Sequence, residues 1–158
     1  IADGGEGTAE AVAAARRGRY VETQATDPIG RKIPSRYVTI DNDSTAIISL
    51  AAASGITLLR PEERNPLITT TYGTGELILD ALSLGAHNIV VGLGGSATTD
   101  GGVGLLRALG YRFYDGKNSE LCGPTIDILE RVEDIDGSQA SSLLRSASPL
   151  YCLPFWRR

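Results

Sequence analysis

Three short segments combine glycines, hydroxyls and an acid at spacings suited to an anionic ligand. The richest is Gly94-Gly-Ser-Ala-Thr-Thr-Asp-Gly-Gly102. Its glycines let backbone N–H groups approach a phosphate or carboxylate, and Ser96 and Thr98 add hydroxyl donors. Asp100, its only charge, has the chemistry of a general base or a magnesium-linked acid. The second cluster, Thr71-Tyr-Gly-Thr-Gly-Glu76, offers Thr71, Thr74 and Glu76 as an opposite wall. The third, Asp3-Gly-Gly-Glu-Gly-Thr8, adds Asp3 and Glu6 as contacts for metal or substrate. Each cluster leads into a helical pattern, and a helix N-terminus attracts anions through its unpaired amides and partial positive charge. Together, glycine loops, hydroxyls and acids are the equipment of phosphoryl transfer, which needs positioning, charge neutralisation and a base.

The elements that position these residues follow from periodicity. Ala9, Val12 and Ala13 fall at helical spacing, with Thr8 as cap and Gly18 as the left-handed stop. Alternation over Val21–Ala25, then Lys32–Ile40 and Thr45–Leu50, each divided by a turn, predicts an antiparallel meander. Leu77, Ile78, Ala81 and Leu82 mark a helix stopped by Gly85. Ile89–Val91 reads as a buried strand, and Val103, Leu105, Leu106 and Leu109 as the helix beyond the central glycine loop. A short strand at 111–114 and a weak helix over 124–135 come next. Residues 138–158 show no period. His87, the only histidine, suits a strand end rather than a catalyst.

Composition narrows the partners. The chain has 158 residues, a net charge of −4 and 42% hydrophobic residues. That balance fits a folded domain and disfavours nucleic acid, since no basic stripe is present. No apolar run is long enough for a membrane-spanning helix. Two distant cysteines and no secretory cue predict reduced thiols and a cytoplasmic protein. There is no methionine, so the chain is expected to be a piece of a longer one. A rival pattern is Gly92-Leu-Gly-Gly-Ser-Ala97, a dinucleotide-type G-x-G-x-x-A, with Asp115 as the ribose partner. It predicts that Asp115 faces the 92–97 loop and that the chain belongs to an oxidoreductase.

Five motifs in order resemble the type I glycerate kinases: Ala2-Asp-Gly-Gly-Glu-Gly-Thr8, Ala51-Ala-Ala-Ser-Gly55, Glu63-Arg-Asn-Pro66, Thr70-Thr-Tyr-Gly-Thr-Gly-Glu76 and Gly94–Gly102. The resemblance implies an α/β kinase of two domains, one flavodoxin-like and one a mixed α/β domain inserted into it. Residues 1–18 then belong to the first, 19–137 to the second, and 138–158 form an atypical tail. It implies ATP and Mg²⁺ as cofactors and glycerate as substrate, with 2-phosphoglycerate as product. Gly94, Gly95, Ser96, Thr98, Gly101 and Gly102 then hold phosphate or carboxylate, and Asp3, Glu6 and Asp100 are the acids for magnesium. The family's Asp-Ser-Phe-Lys-Gly segment precedes the first residue and further motifs follow the last. An inactive remnant of such a kinase is therefore the alternative to a working one.

Overall fold

The computed structural model describes residues 7–123, 125–147 and 151–153. It is a mixed α/β fold built on a five-stranded sheet of order β1-β2-β3-β4-β7. β1 (Arg19–Thr26), β2 (Lys32–Ile40) and β3 (Thr45–Ser49) form the expected antiparallel meander. β4 (Asn88–Gly92) then pairs parallel with β3, and β7 (Tyr151–Leu153) parallel with β4. Pro34 sits inside β2 where that strand pairs only with β1, so it lies on a local edge. β3 reaches only Val38–Ile40 of β2, so beside Pro34 no ladder bond to β3 is lost.

Strand alternation sends side chains to two faces, and each face has its own helix. Val21, Ala25, Tyr37, Ala46, Ile48, Ile89 and Val91 pack under Leu77, Ile78, Ala81 and Leu82 of α3 (Tyr72–Ser83). The Tyr37 hydroxyl completes that contact by donating to Asp80 at 2.8 Å. Burial, then the Asp80 bond, pushes the Tyr37 phenol up from its ordinary value. On the other face Ala9 and Ala13 of α1 (Thr8–Arg16) cover Val38 and Ile47. Residues 8–16 therefore pack directly on the strands that follow them.

Several local expectations shift. Gly7, not Thr8, is the N-cap of α1, and Thr8 is its buried first residue. Arg17, not Gly18, takes the left-handed stop, with φ 53°. Gly18 is small for another reason: a Cβ there would lie 2.6 Å from Val38 Cγ1. In the stretch 138–158, a 3-10 turn at Ser142–Ser146 and strand β7 occur where the sequence shows no period. A three-residue strand is too short to display one, and its pairing with β4 fixes it. α4 (Val103–Ala108), β5 (Arg112–Tyr114), α5 (Thr125–Arg131) and β6 (Asp134–Asp136) close a smaller cluster around Val103, Phe113, Leu121 and Ile128.

Candidate functional site

In open α/β sheets, ligands bind beyond the carboxyl ends of parallel strands. Here that edge is the end of β3 and β4, where Ser49 pairs with Gly92. α2 (Ala51–Ser54) leaves β3 and the glycine loop leaves β4. The two segments are stitched together: Ile56 N donates to Gly95 O at 2.9 Å, and Ala97 N to Ser54 O at 2.9 Å. Thr69, just before α3, donates its hydroxyl to Ala97 O at 2.9 Å. The second and central clusters thus meet at one sheet edge.

Asp100 is 1% exposed and occupies the junction of α3 and α4. Its Oδ2 accepts from Thr71 N at 2.8 Å, Gly104 N at 3.1 Å and the Thr70 hydroxyl at 3.5 Å. Its Oδ1 accepts from Gly102 N at 3.1 Å. The Thr71 hydroxyl lies 2.9 and 3.1 Å from the two oxygens and itself accepts from Leu105 N at 2.9 Å. Gly104 permits this approach, because a Cβ there would overlap Thr70 Oγ1 and crowd Asp100 and Tyr72. Gly101 and Gly102, with φ 59° and 83°, turn the chain into α4.

The other expected residues separate into distinct environments. Gly94, Gly95, Ser96 and Thr98 form the loop proper. Ser96 and Thr98 pair through their hydroxyls at 2.9 Å, and Thr98 N donates to Ser96 Oγ at 3.0 Å. The amides of Gly94, Gly95 and Ser96 have no acceptor among the described residues. Thr74 lies within α3, fully buried, paired with Ser54 at 2.8 Å. Glu76 accepts from the Thr26 amide at 2.6 Å and from Lys32, tying α3 to the β1–β2 hairpin. Burial pushes the Glu76 carboxyl up, but the bonds from Lys32 and Thr26 outweigh it and hold the group low. Asp3 and Glu6 lie outside the described residues.

Beside the same edge, on the α1 face, lies an open groove of about 460 Å³. Gly7 at the start of α1, Ser49, Ala52 and the outward residues Tyr20, Glu22 and Arg36 line it. Arg36 stacks 4.8 Å from the Tyr20 ring centroid and reaches Glu10 at 3.4 Å. Among the described residues the Ser49 hydroxyl is the one buried side-chain polar atom without a hydrogen bond. None of these residues stands out in the sequence. Alternation marks Tyr20, Glu22 and Arg36 only as outward-facing, and a serine ending a strand carries no pattern.

Among the described residues no three acids, histidines or cysteines gather to hold a metal ion, and the Asp100 oxygens accept from five N–H and O–H donors. The dinucleotide pattern fails on geometry. Asp115 accepts from the amides of Lys117 and Ser119 in its own turn and from Arg131 at the end of α5, not from the 92–97 loop.

The glycerate kinase family model matches residues 1–151, across all of the elements that form this edge. The chain belongs to the glycerate kinase family. Curated relatives agree. A glycerate kinase of Bacillus subtilis is 46% identical over 92% of this chain and 38% of its own length. One of Haemophilus influenzae is 50% identical over 77% of this chain and 32% of its own length. A glycerate 2-kinase of Escherichia coli is 47% identical over 86% and 35%. A solved structure assigned as glycerate kinase 2 of Salmonella typhimurium superposes with a TM-score of 0.85 at 41% identity, covering 95% of this chain and 40% of that one. The chain thus spans well under half the length of these glycerate kinase relatives.

Proposed function

We propose that these residues belong to an enzyme transferring a phosphoryl group from ATP to a hydroxyl of glycerate, with 2-phosphoglycerate as product. The observation that carries this is the family match over residues 1–151. The geometry supports it. Phosphoryl transfer spreads charge over the moving oxygens, and fixed neutral donors stabilise that charge at little reorganisation cost. The amides of Gly94, Gly95 and Ser96 and the hydroxyls of Ser96 and Thr98 are such donors, on a loop pinned to α2 and to Thr69. Thr71 and Gly102 hold Asp100, Gly101 turns the chain toward α4, Thr74 ties α3 to Ser54 of α2, and Glu76 ties α3 to the β1–β2 hairpin. Asp3 and Glu6 are the proposed acids for magnesium, which neutralises phosphate charge when bound. The cytoplasm is the proposed compartment, and among the described residues no helix is long and apolar enough to cross a membrane.

The activity proposed is that of the whole protein, since the Bacillus subtilis relative is matched over only 38% of its length. A coupled assay of ADP release tests it, with glycerate, lactate or no acceptor. It is run on the chain, and on the chain completed with the remaining length of that relative. Glycerate-dependent release in either supports the proposal, and release in the second alone limits the chain to a share of the site. Release that ignores glycerate, or none in either, removes it.

A further inference from the structure

A buried carboxylate needs a compensating partner, and a cation is the usual one. Asp100 has none among the described residues. Its partners are the amides of Thr71, Gly102 and Gly104 and the hydroxyls of Thr70 and Thr71. Amides and hydroxyls gathered where helices begin are the donors that proteins use for free anions. The same donors come from two segments distant in sequence, Thr70–Thr71 and Gly102–Gly104, and Thr69 beside the first reaches the 94–98 loop at Ala97. Both carboxylate oxygens are thus already engaged by protein donors.

We propose that Asp100 is a resident anion: it fills a ready-made anion cradle between α3 and α4 and thereby positions the 94–98 loop. It is a positioning residue rather than a base or a magnesium ligand. A ligand phosphate is then kept out of this cradle and directed to the amides of Gly94–Ser96. The inference rests on the cradle's geometry and stands or falls apart from the identity of the phosphoryl acceptor.

Substituting Asp100→Ala removes the atoms that formate would restore, so the emptied cradle becomes a site for a small carboxylate. The melting temperature of the Ala variant is expected to fall by roughly 10 °C. Added formate recovers at least half of that loss, and neutral formamide or chloride recovers none. If the variant does not fold alone, the same comparison is made on refolding yield. In a second arm, magnesium titrated into the native chain and into Asp100→Asn shifts both melting temperatures equally. Formate acting no better than formamide overturns the proposal. So does a magnesium-dependent rise in the native chain that the Asn variant lacks.

Discussion

The two sides of this sheet edge differ in how their polar groups are satisfied. Around Asp100 five donors converge on one carboxylate, and every contact lies within protein. In the α1 groove, the Ser49 hydroxyl is buried with no hydrogen bond among the described residues, and Arg36 and Glu22 face an open volume of about 460 Å³. An unpaired buried hydroxyl costs roughly 1–3 kcal/mol. The closed junction is therefore where the chain gains rigidity. On the groove side, among the described residues, the Ser49 hydroxyl is left without a hydrogen bond. Asp100, the most suggestive residue by type, falls on the closed side.

The sharpest way to break this contrast is to wedge the closed side. Gly104→Val puts methyls into Thr70 and Asp100, and denaturant unfolding should show a loss of about 3 kcal/mol. A loss under about 1 kcal/mol would mean that the junction yields easily. Thr71→Val keeps the shape but removes the hydroxyl between Asp100 and Leu105, with an expected loss of about 2 kcal/mol in the same measurement. On the open side, Ser49→Ala should leave stability unchanged or raise it by up to about 1 kcal/mol. If the groove binds substrate, the same variant of the completed enzyme raises KM while the melting temperature holds. A stability loss beyond about 1 kcal/mol would mean that the Ser49 hydroxyl has a partner after all.

The smallest effect lies away from both sides, in the exposed loop before α3. The side-chain and backbone bonds of Arg60 hold the Glu63 carboxyl at about 2, against an ordinary 4.5, with Arg31 adding to them. A folded-state value below the unfolded one means that the stabilising share is present above 4.5 and lost as pH falls toward about 2. Glu63→Gln should flatten the acid limb of the stability profile in that window, read by thermal melts at stepped pH. An unchanged limb would assign the acid sensitivity elsewhere, for instance to Glu76, which is also held low.

Much of the framework was legible from residue order. The meander of β1 to β3, the apolar face of α3, β4 and the stop at Gly85 all follow from local period and from glycine's ease at positive φ. The glycine-hydroxyl segments were legible as composition but not as environment. Thr71-Tyr-Gly-Thr-Gly-Glu76 looks like a loop before a helix, yet Tyr72 to Glu76 form the helix's own first turns. Gly73 and Gly75 are small there because Thr26 of β1 and Leu105 of α4 press against them. β7 left no mark, since a short strand is defined by its neighbour.

Local periodicity and turn chemistry act over a few residues, so the sequence by itself determined which segments become strands and helices and which faces go inward. The motif order also pointed to the family. Only the tertiary structure decided which donor meets which acceptor. Thr71 and Asp100 are 29 positions apart, and Thr26 and Glu76 are 50 apart. Packing of α3 against the sheet and against α4 brings those pairs within hydrogen-bond range, and no local pattern encodes such a distance. Whether an acid is held by protein donors or left open to a ligand therefore depends on those long-range contacts.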